Sequence, residues 1–163
     1  MNKKSLAVSL SKLEKVDNPN ARLEQYLTDS EVASFVLWTA YLNNDIKNKI
    51  VADFGCGNGI FGIGCIILGA KEVYFIEIDK NSVRVLRNNL VDINGDYKIL
   101  NIDIRDFYKN IDTVIENPPF GIQNKNKDRE FLVKAFEKAD KIYSIHKIQS
   151  RAFIKGFSNK HGF

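Results

Sequence analysis

This 163-residue chain has little sulfur, few prolines and no long apolar run. Each shortage excludes something. Its two cysteines, Cys56 and Cys65, lie in or beside a glycine-rich stretch and have no partners at a zinc-ligand spacing. A zinc module and a disulfide-stapled scaffold are therefore excluded, and no metal is expected. The thiols read as small packing residues, kept reduced in a cytoplasmic protein. No apolar run approaches the ~20 residues that a membrane span needs. Met1-Asn2-Lys3-Lys4 leads into a polar-spaced segment, not the apolar block of a signal peptide. There is no internal repeat and no low-complexity linker. Of the three prolines, one marks a turn at Asn18-Pro19 and the other two stand together at Pro118-Pro119.

The length suits one domain with a substantial core. Apolar content of 44% and charged content of 27% are ordinary for a globular protein. The net charge of +4 hides an asymmetry. Residues 1–120 carry 14 basic and 16 acidic side chains, a net of −2, whereas residues 121–163 carry 10 basic and 4 acidic, a net of +6. A basic C-terminal third on a slightly acidic body points to contact with a polyanion such as nucleic acid.

Leu6, Leu10 and Leu13 repeat with the spacing of one helix face. Thr28-Asp29-Ser30-Glu31 has the form of a capping box opening a helix to about Leu42. That helix is apolar nearly all round, which predicts deep burial. Residues 1–45 thus form a helical extension, and residues 46–163 a core in which strands and helices alternate. Strands are expected at Ile50–Phe54, Val73–Ile76, Tyr97–Ile102, Asp112–Ile115 and Ile142–Ile145. Helices are expected from Ile60 to a stop at Gly69, after caps at Asp79 and Asp128, and from about Lys147. Such alternation implies an α/β fold, a parallel sheet with helices on both faces. Ligands in these sheets bind beyond the C-terminal strand ends.

The first strand runs into Asp53-Phe54-Gly55-Cys56-Gly57-Asn58-Gly59. Its glycines permit a tight turn and close approach of a ligand. Gly57 to Gly62 also matches the dinucleotide spacing G-x-G-x-x-G, a weak signal alone. A carboxylate leading into the loop disfavours a pyrophosphate. It suits S-adenosyl-L-methionine, which carries a cationic amino acid head, a sulfonium and no phosphate. Glu77, eighteen residues past Gly59, stands at the second strand end, where an acidic side chain bonds ribose hydroxyls. Asp79 is a rival there and reads as a helix cap. Asp103, at the third strand end, can accept from the cofactor's adenine amine with Ile104 against the ring, or act only as a turn residue.

Asn117-Pro118-Pro119-Phe120 follows the fourth strand. The Asn117 side-chain oxygen and the Pro118 carbonyl can accept both hydrogens of an exocyclic amine. That localises the nitrogen lone pair and aims it, with no obligatory general base. Phe120 offers a stacking face to a base that is unstacked or flipped out. The plain alternative is a Pro-Pro loop.

These two motifs together resemble the class I amino-methyltransferases, whose fold is a Rossmann-like sheet. Leu23-Glu24-Gln25-Tyr26-Leu27-Thr28 and Tyr143-Ser144-Ile145-His146-Lys147 are similar to strings of a narrower family. That family is the archaeal and eukaryotic methyltransferase-like protein 5 group, N6-adenine methylases of small-subunit rRNA. The resemblance implies that Gln25 and Thr28 cover the cofactor, and that Gly55, Asn58, Ile60, Glu77, Ile78, Asp103 and Ile104 line its site. It implies catalysis by Asn117 to Phe120. It sets His146 and Lys147 near the substrate entrance, with Lys125, Lys127 and Arg129 meeting phosphates of the RNA. Leu27 replaces the family's usual proline. The family continues through two further strands, so the fifth strand here is expected as an edge, open to a partner such as the small zinc-binding activator of the eukaryotic members. Guanine-N2 methylation, and an inactive methyltransferase-like module that only binds, are the alternatives.

Overall fold

The computed structural model describes residues 1–17, 26–119 and 126–163. Gln25, Phe120 and Lys125 lie outside the described residues. Helix α1 spans Lys3–Leu10 and α2 Ser30–Leu42. Then follow β1 (Ile50–Phe54), α3 (Ile60–Ile67), β2 (Glu72–Ile76), α4 (Lys80–Asn89) and β3 (Tyr97–Leu100). A short 3-10 turn (Ile104–Asp106) leads to β4 (Ile111–Glu116), α5 (Lys127–Lys138) and β5 (Ala139–Ser144). A second 3-10 turn precedes α6 (Arg151–Lys160).

The strands lie in the order β3-β2-β1-β4-β5, and every pairing is parallel. Chain order reverses between β1 and β4, which makes the ends of those strands the switch point. Helices cover both faces. On one, Leu10, Leu37, Ile63 and Leu86 pack on Val51, Phe75 and Ile115. On the other, Phe107 and Ala135 pack on Phe54, Ile76 and Val114. The helical extension joins the first face. Among the described residues no helix is long and apolar enough to cross a membrane.

Four local expectations need correction. Asp29, not Thr28, caps α2, because its Oδ1 reaches the N–H groups of Glu31 and Val32. Only Ala33, Ser34, Leu37 and Ala40 of α2 are buried, while Val32, Phe35 and Leu42 face outward. The helix is a one-sided element despite its composition. Asn126, with φ +72°, precedes α5, and Asp128 sits inside the first turn, where its Oδ1 accepts from Arg129 N–H. The third strand stops at Leu100, which leaves Asn101 to Asp103 free to shape the sheet's C-terminal edge.

Helix α3 carries two interior glycines, each costing ~1 kcal/mol of helix propensity. The cost has a packing purpose. A Cβ on Gly62 would collide with the Phe75 ring, and one on Gly64 with Leu37. Close approach of α3 to the sheet is what sets the glycine loop at its height above β1. Gly62→Ala is therefore expected to lower stability by about 1–3 kcal/mol through overpacking, despite alanine's better propensity. Urea unfolding measures it; an unchanged midpoint would rule out the tight α3–sheet contact.

Candidate active site

A cleft opens over the C-terminal ends of β1, β2 and β4. It is lined by the glycine loop, Glu77, Ile78, Asp103, Ile104, Asn117, Pro119 and Thr28, among others. Thus Thr28, Gly55, Gly57, Asn58, Ile60, Glu77, Ile78, Asp103, Ile104, Asn117 and Pro119, separated widely in sequence, do converge. Pro118 is buried beside them.

The loop from Gly55 to Gly59 turns on three glycines in the left-handed region, with φ +65°, +55° and +88°. Gly55 and Cys56 donate their N–H groups to the Ile76 carbonyl at 2.9 and 3.1 Å. Gly57 N–H donates to Glu77 Oε2 at 2.9 Å. A Cβ at Gly57 would meet nothing, so its bare backbone faces open space. Gly59 is different: a Cβ there would strike Leu86, so its role is packing.

Asp53 does not line the cleft. It is 1% exposed, and its Oδ2 accepts from Gly62 N–H at 2.8 Å. Gly62 is in the first turn of α3, whose N-cap, Gly59, has no side chain to offer. Asp53 thus caps the helix from the preceding strand. Burial pushes its carboxyl up to about 7, against the pull of the Gly62 N–H. Its part is to hold the loop, not to face a cationic ligand.

Glu77 stands just past β2. Oε1 accepts from Asp79 N–H at 2.8 Å, and burial raises its pKa against the effect of the backbone N–H groups of Asp79, Gly57 and Ile78. Asn101 fixes this corner by donating to the carbonyls of Glu77 and Ile78. Asp79 caps α4, as expected. Asp103 lines the cleft, yet both its oxygens grip Arg105, at 3.0 and 2.8 Å. That pairing holds its carboxyl below the usual range. Only its remaining lone pairs are available to a ligand.

Asn117 is the pivotal side chain. Its Nδ2 donates to Thr28 Oγ1 at 3.0 Å, while its Oδ1 is buried with no partner among the described residues. Buried polar atoms are almost always bonded, so an unmatched acceptor in a cleft wall marks a place where a donor belongs. Thr28 and Asn117 are 89 residues apart. The Thr28 hydroxyl thus orients the amide that sequence reasoning paired only with a ligand.

The residues expected to meet RNA divide. Lys127 lines the cleft, paired with Glu130 at 2.9 Å. Arg129 instead lays its guanidinium over the Phe157 ring at 4.9 Å, a cation–π contact that turns it toward α6. His146 and Lys147 do not line the cleft. His146 Nε2 lies 2.7 Å from Ser144 Oγ, which is 2.7 Å from Glu116 Oε1. Sequence reasoning missed Val16, Ile102, Phe131 and Ser82 as wall residues. Only Ile102, adjacent to Asp103, carried a signal; the others are brought in by tertiary packing.

The C-terminal residue of β4, Glu116, is wholly buried and its Oε2 has no partner among the described residues. Burial pushes its carboxyl up to about 8, offset in part by the Ser144 hydroxyl. Between the ordinary glutamate pKa and that value, the folded protein holds a proton the unfolded chain has lost. Stability therefore falls as pH rises through that window and levels off above it. Glu116→Gln cannot ionise. Its stability relative to the wild type is expected to improve from pH 5 to pH 8, by up to ~1.4 kcal/mol per pH unit. Urea unfolding across that range checks this; parallel profiles would mean that Glu116 is ionised in the fold.

The model of the methyltransferase small domain matches residues 29–144. Protein MJ0284 of Methanocaldococcus jannaschii is 41% identical over 93% of this chain and 74% of its own. The rRNA N(6)-adenosine-methyltransferase METTL5 of Danio rerio is 34% identical over 98% of this chain and 81% of its own. The crystal structure of PH1948 from Pyrococcus horikoshii superposes with a TM-score of 0.94 at 49% identity, covering 98% of this chain and 82% of that one.

Proposed function

Because this chain belongs to the methyltransferase small domain family, and within it to the relatives of the rRNA N6-adenosine methyltransferases, we propose that it methylates the N6 amine of an adenosine in rRNA. The observation that carries this reading is the buried, unpartnered Asn117 Oδ1 in the cleft wall.

The methyl donor is S-adenosyl-L-methionine, and the residues present fit it. The open backbone at Gly57 leaves room for close approach, and Glu77 lines the cleft at a strand end, where an acidic side chain can bond ribose hydroxyls. Ile78 and Ile104 give apolar surface for a base, beside the free lone pairs of Asp103. When bound, the cofactor supplies a methyl group on an electron-poor sulfonium. The protein's own work is positional. Asn117 Oδ1 and the Pro118 carbonyl accept the two hydrogens of the substrate amine, and Thr28 keeps the amide from turning. Both acceptors favour a pyramidal nitrogen whose lone pair is directed, which is orientation and electrostatic stabilisation together. Phe120 is assigned the stacking face for the flipped base, and Gln25 a place over the cofactor.

The finer assignments follow the family resemblance. The substrate is small-subunit rRNA, held by Lys127 at the cleft and by the basic C-terminal third. A small zinc-binding activator protein is a fitting partner for a sheet whose edge strands are β3 and β5 among the described residues.

Asn117→Ala is expected to cut the transfer rate by about 10²–10³-fold and to leave S-adenosylmethionine affinity unchanged. Glu77→Ala is expected to lose cofactor binding itself. Calorimetry with the cofactor and nucleoside analysis of treated small-subunit rRNA measure these. N2-methylguanosine as product would overturn the choice of base, and loss of cofactor binding in Asn117→Ala would overturn the division of roles.

A further inference from the structure

Val16 is buried in the cleft wall, although it belongs to no helix or strand. It sits on the segment 14–17 that leaves α1, and side-chain amides hold that segment. Asn89, the last residue of α4, bonds both sides of one residue's backbone. Its Oδ1 accepts from Glu14 N–H at 2.8 Å, and its Nδ2 donates to the Glu14 carbonyl at 3.1 Å. The same Nδ2 lies 3.0 Å from the carbonyl of Asn58. Asn58 closes the ring, its own Nδ2 donating to the Glu14 carbonyl at 3.0 Å. Outside this ring, Asn88 donates to Glu14 Oε2 and Asn81 to the Asp17 carbonyl.

Asn58 lies between Gly57 and Gly59, in the loop that closes one side of the cleft. Its side-chain amide nitrogen is therefore turned onto the strap and not toward a ligand. Glu14 and Asp17 are exposed while Val16 is buried. The strap is thus fastened by exposed bonds from Asn81, Asn88 and Asn89 and a part-buried one from Asn58, and presses one apolar side chain inward. Such bonds open more readily than a helix or sheet ladder.

We propose that Glu14, Asn58 and Asn89 form a latch that couples this strap to the glycine loop, and that it retains the cofactor by holding Val16 as a wall. Asn58 and Asn89 are then positioning residues, and opening the latch is the route by which methyl donor enters and spent product leaves. This rests on the reading of the cleft as the S-adenosylmethionine site.

The test is the dissociation rate of S-adenosylmethionine from the immobilised full chain, measured by surface plasmon resonance. Wild type, Asn89→Ala, Val16→Ala and the double variant are compared. Asn89→Ala is expected to speed release roughly tenfold, since it removes two bonds to the strap. Val16→Ala is also expected to speed release, but to add nothing in the Asn89→Ala background. A merely structural role for Asn89 would give independent, additive effects, and additivity or an unchanged rate in Asn89→Ala overturns the proposal. Should Asn89→Ala fail to fold, hydrogen exchange at Val16 and Asp17 in the wild type decides. Slower exchange with S-adenosylmethionine supports the latch, and equal exchange overturns it. A wild type that binds no S-adenosylmethionine overturns the cofactor reading and the latch together. Binding with an unaltered off-rate in the variant overturns the latch alone.

Discussion

The pairing of β1 with β2 on one side and β4 on the other decides where every functional side chain of this protein stands. Phe54 lies opposite Ile76 in one pair and opposite Glu116 in the other. All three strands therefore finish at the same level, and the residues that follow them meet: Gly55, Glu77 and Asn117. A parallel sheet has no other way to bring such distant segments together, because each strand must return through a crossover before the next begins. The Ile76 carbonyl strengthens the arrangement by accepting from both Gly55 and Cys56, so the glycine loop is tied to the neighbouring strand end.

Buried carboxyls are the cost of this concentration of function. Asp53, Glu77 and Glu116 all lie at or beyond the strand ends, and burial raises all three. They are compensated differently. Asp53 has the first turn of α3, where aligned N–H groups favour negative charge. Glu77 has two backbone donors. Glu116 has one serine hydroxyl, and burial carries its carboxyl up to about 8.

Much of this was legible in the sequence, for reasons particular residues make plain. The strand at Ile50–Phe54 and the glycine loop were readable because apolar runs and glycine punctuation are local signals. Gly69 stops α3 in the left-handed conformation expected of it. The methyltransferase assignment held because two motifs at two strand ends demand a sheet that brings them together. What failed were inferences about direction. Asp53 was legible as an acid at a ligand loop, but not as a helix cap, because the vacancy it fills exists only once Gly59 is the N-cap. Arg129 lies near the substrate loop in sequence and His146 just past β5, yet the side chains turn to an aromatic ring on α6 and a serine on β5. The deep burial expected of α2 failed because apolar composition does not say how many faces have a neighbour. The strap was invisible, since amides that bond a backbone carry no sequence period.

An amide oxygen and a peptide carbonyl are weak bases. They can orient an amine's hydrogens and redistribute its lone pair, but they cannot compete well if water reaches the same acceptors. A grip of this kind works only in a dry site, so the cleft's walls matter as much as its polar groups. The strand ends supply the parts whose geometry must not vary, and they are anchored by the sheet. Val16 is a wall of a different kind, held only through side-chain amides. A ligand must enter and leave, so some part of the enclosure has to yield. The chain assigns that part to the segment whose release disturbs no strand, and fastens it to Asn58, which follows the open backbone of Gly57. Rigidity for chemistry and release for turnover are thereby separated within one cleft.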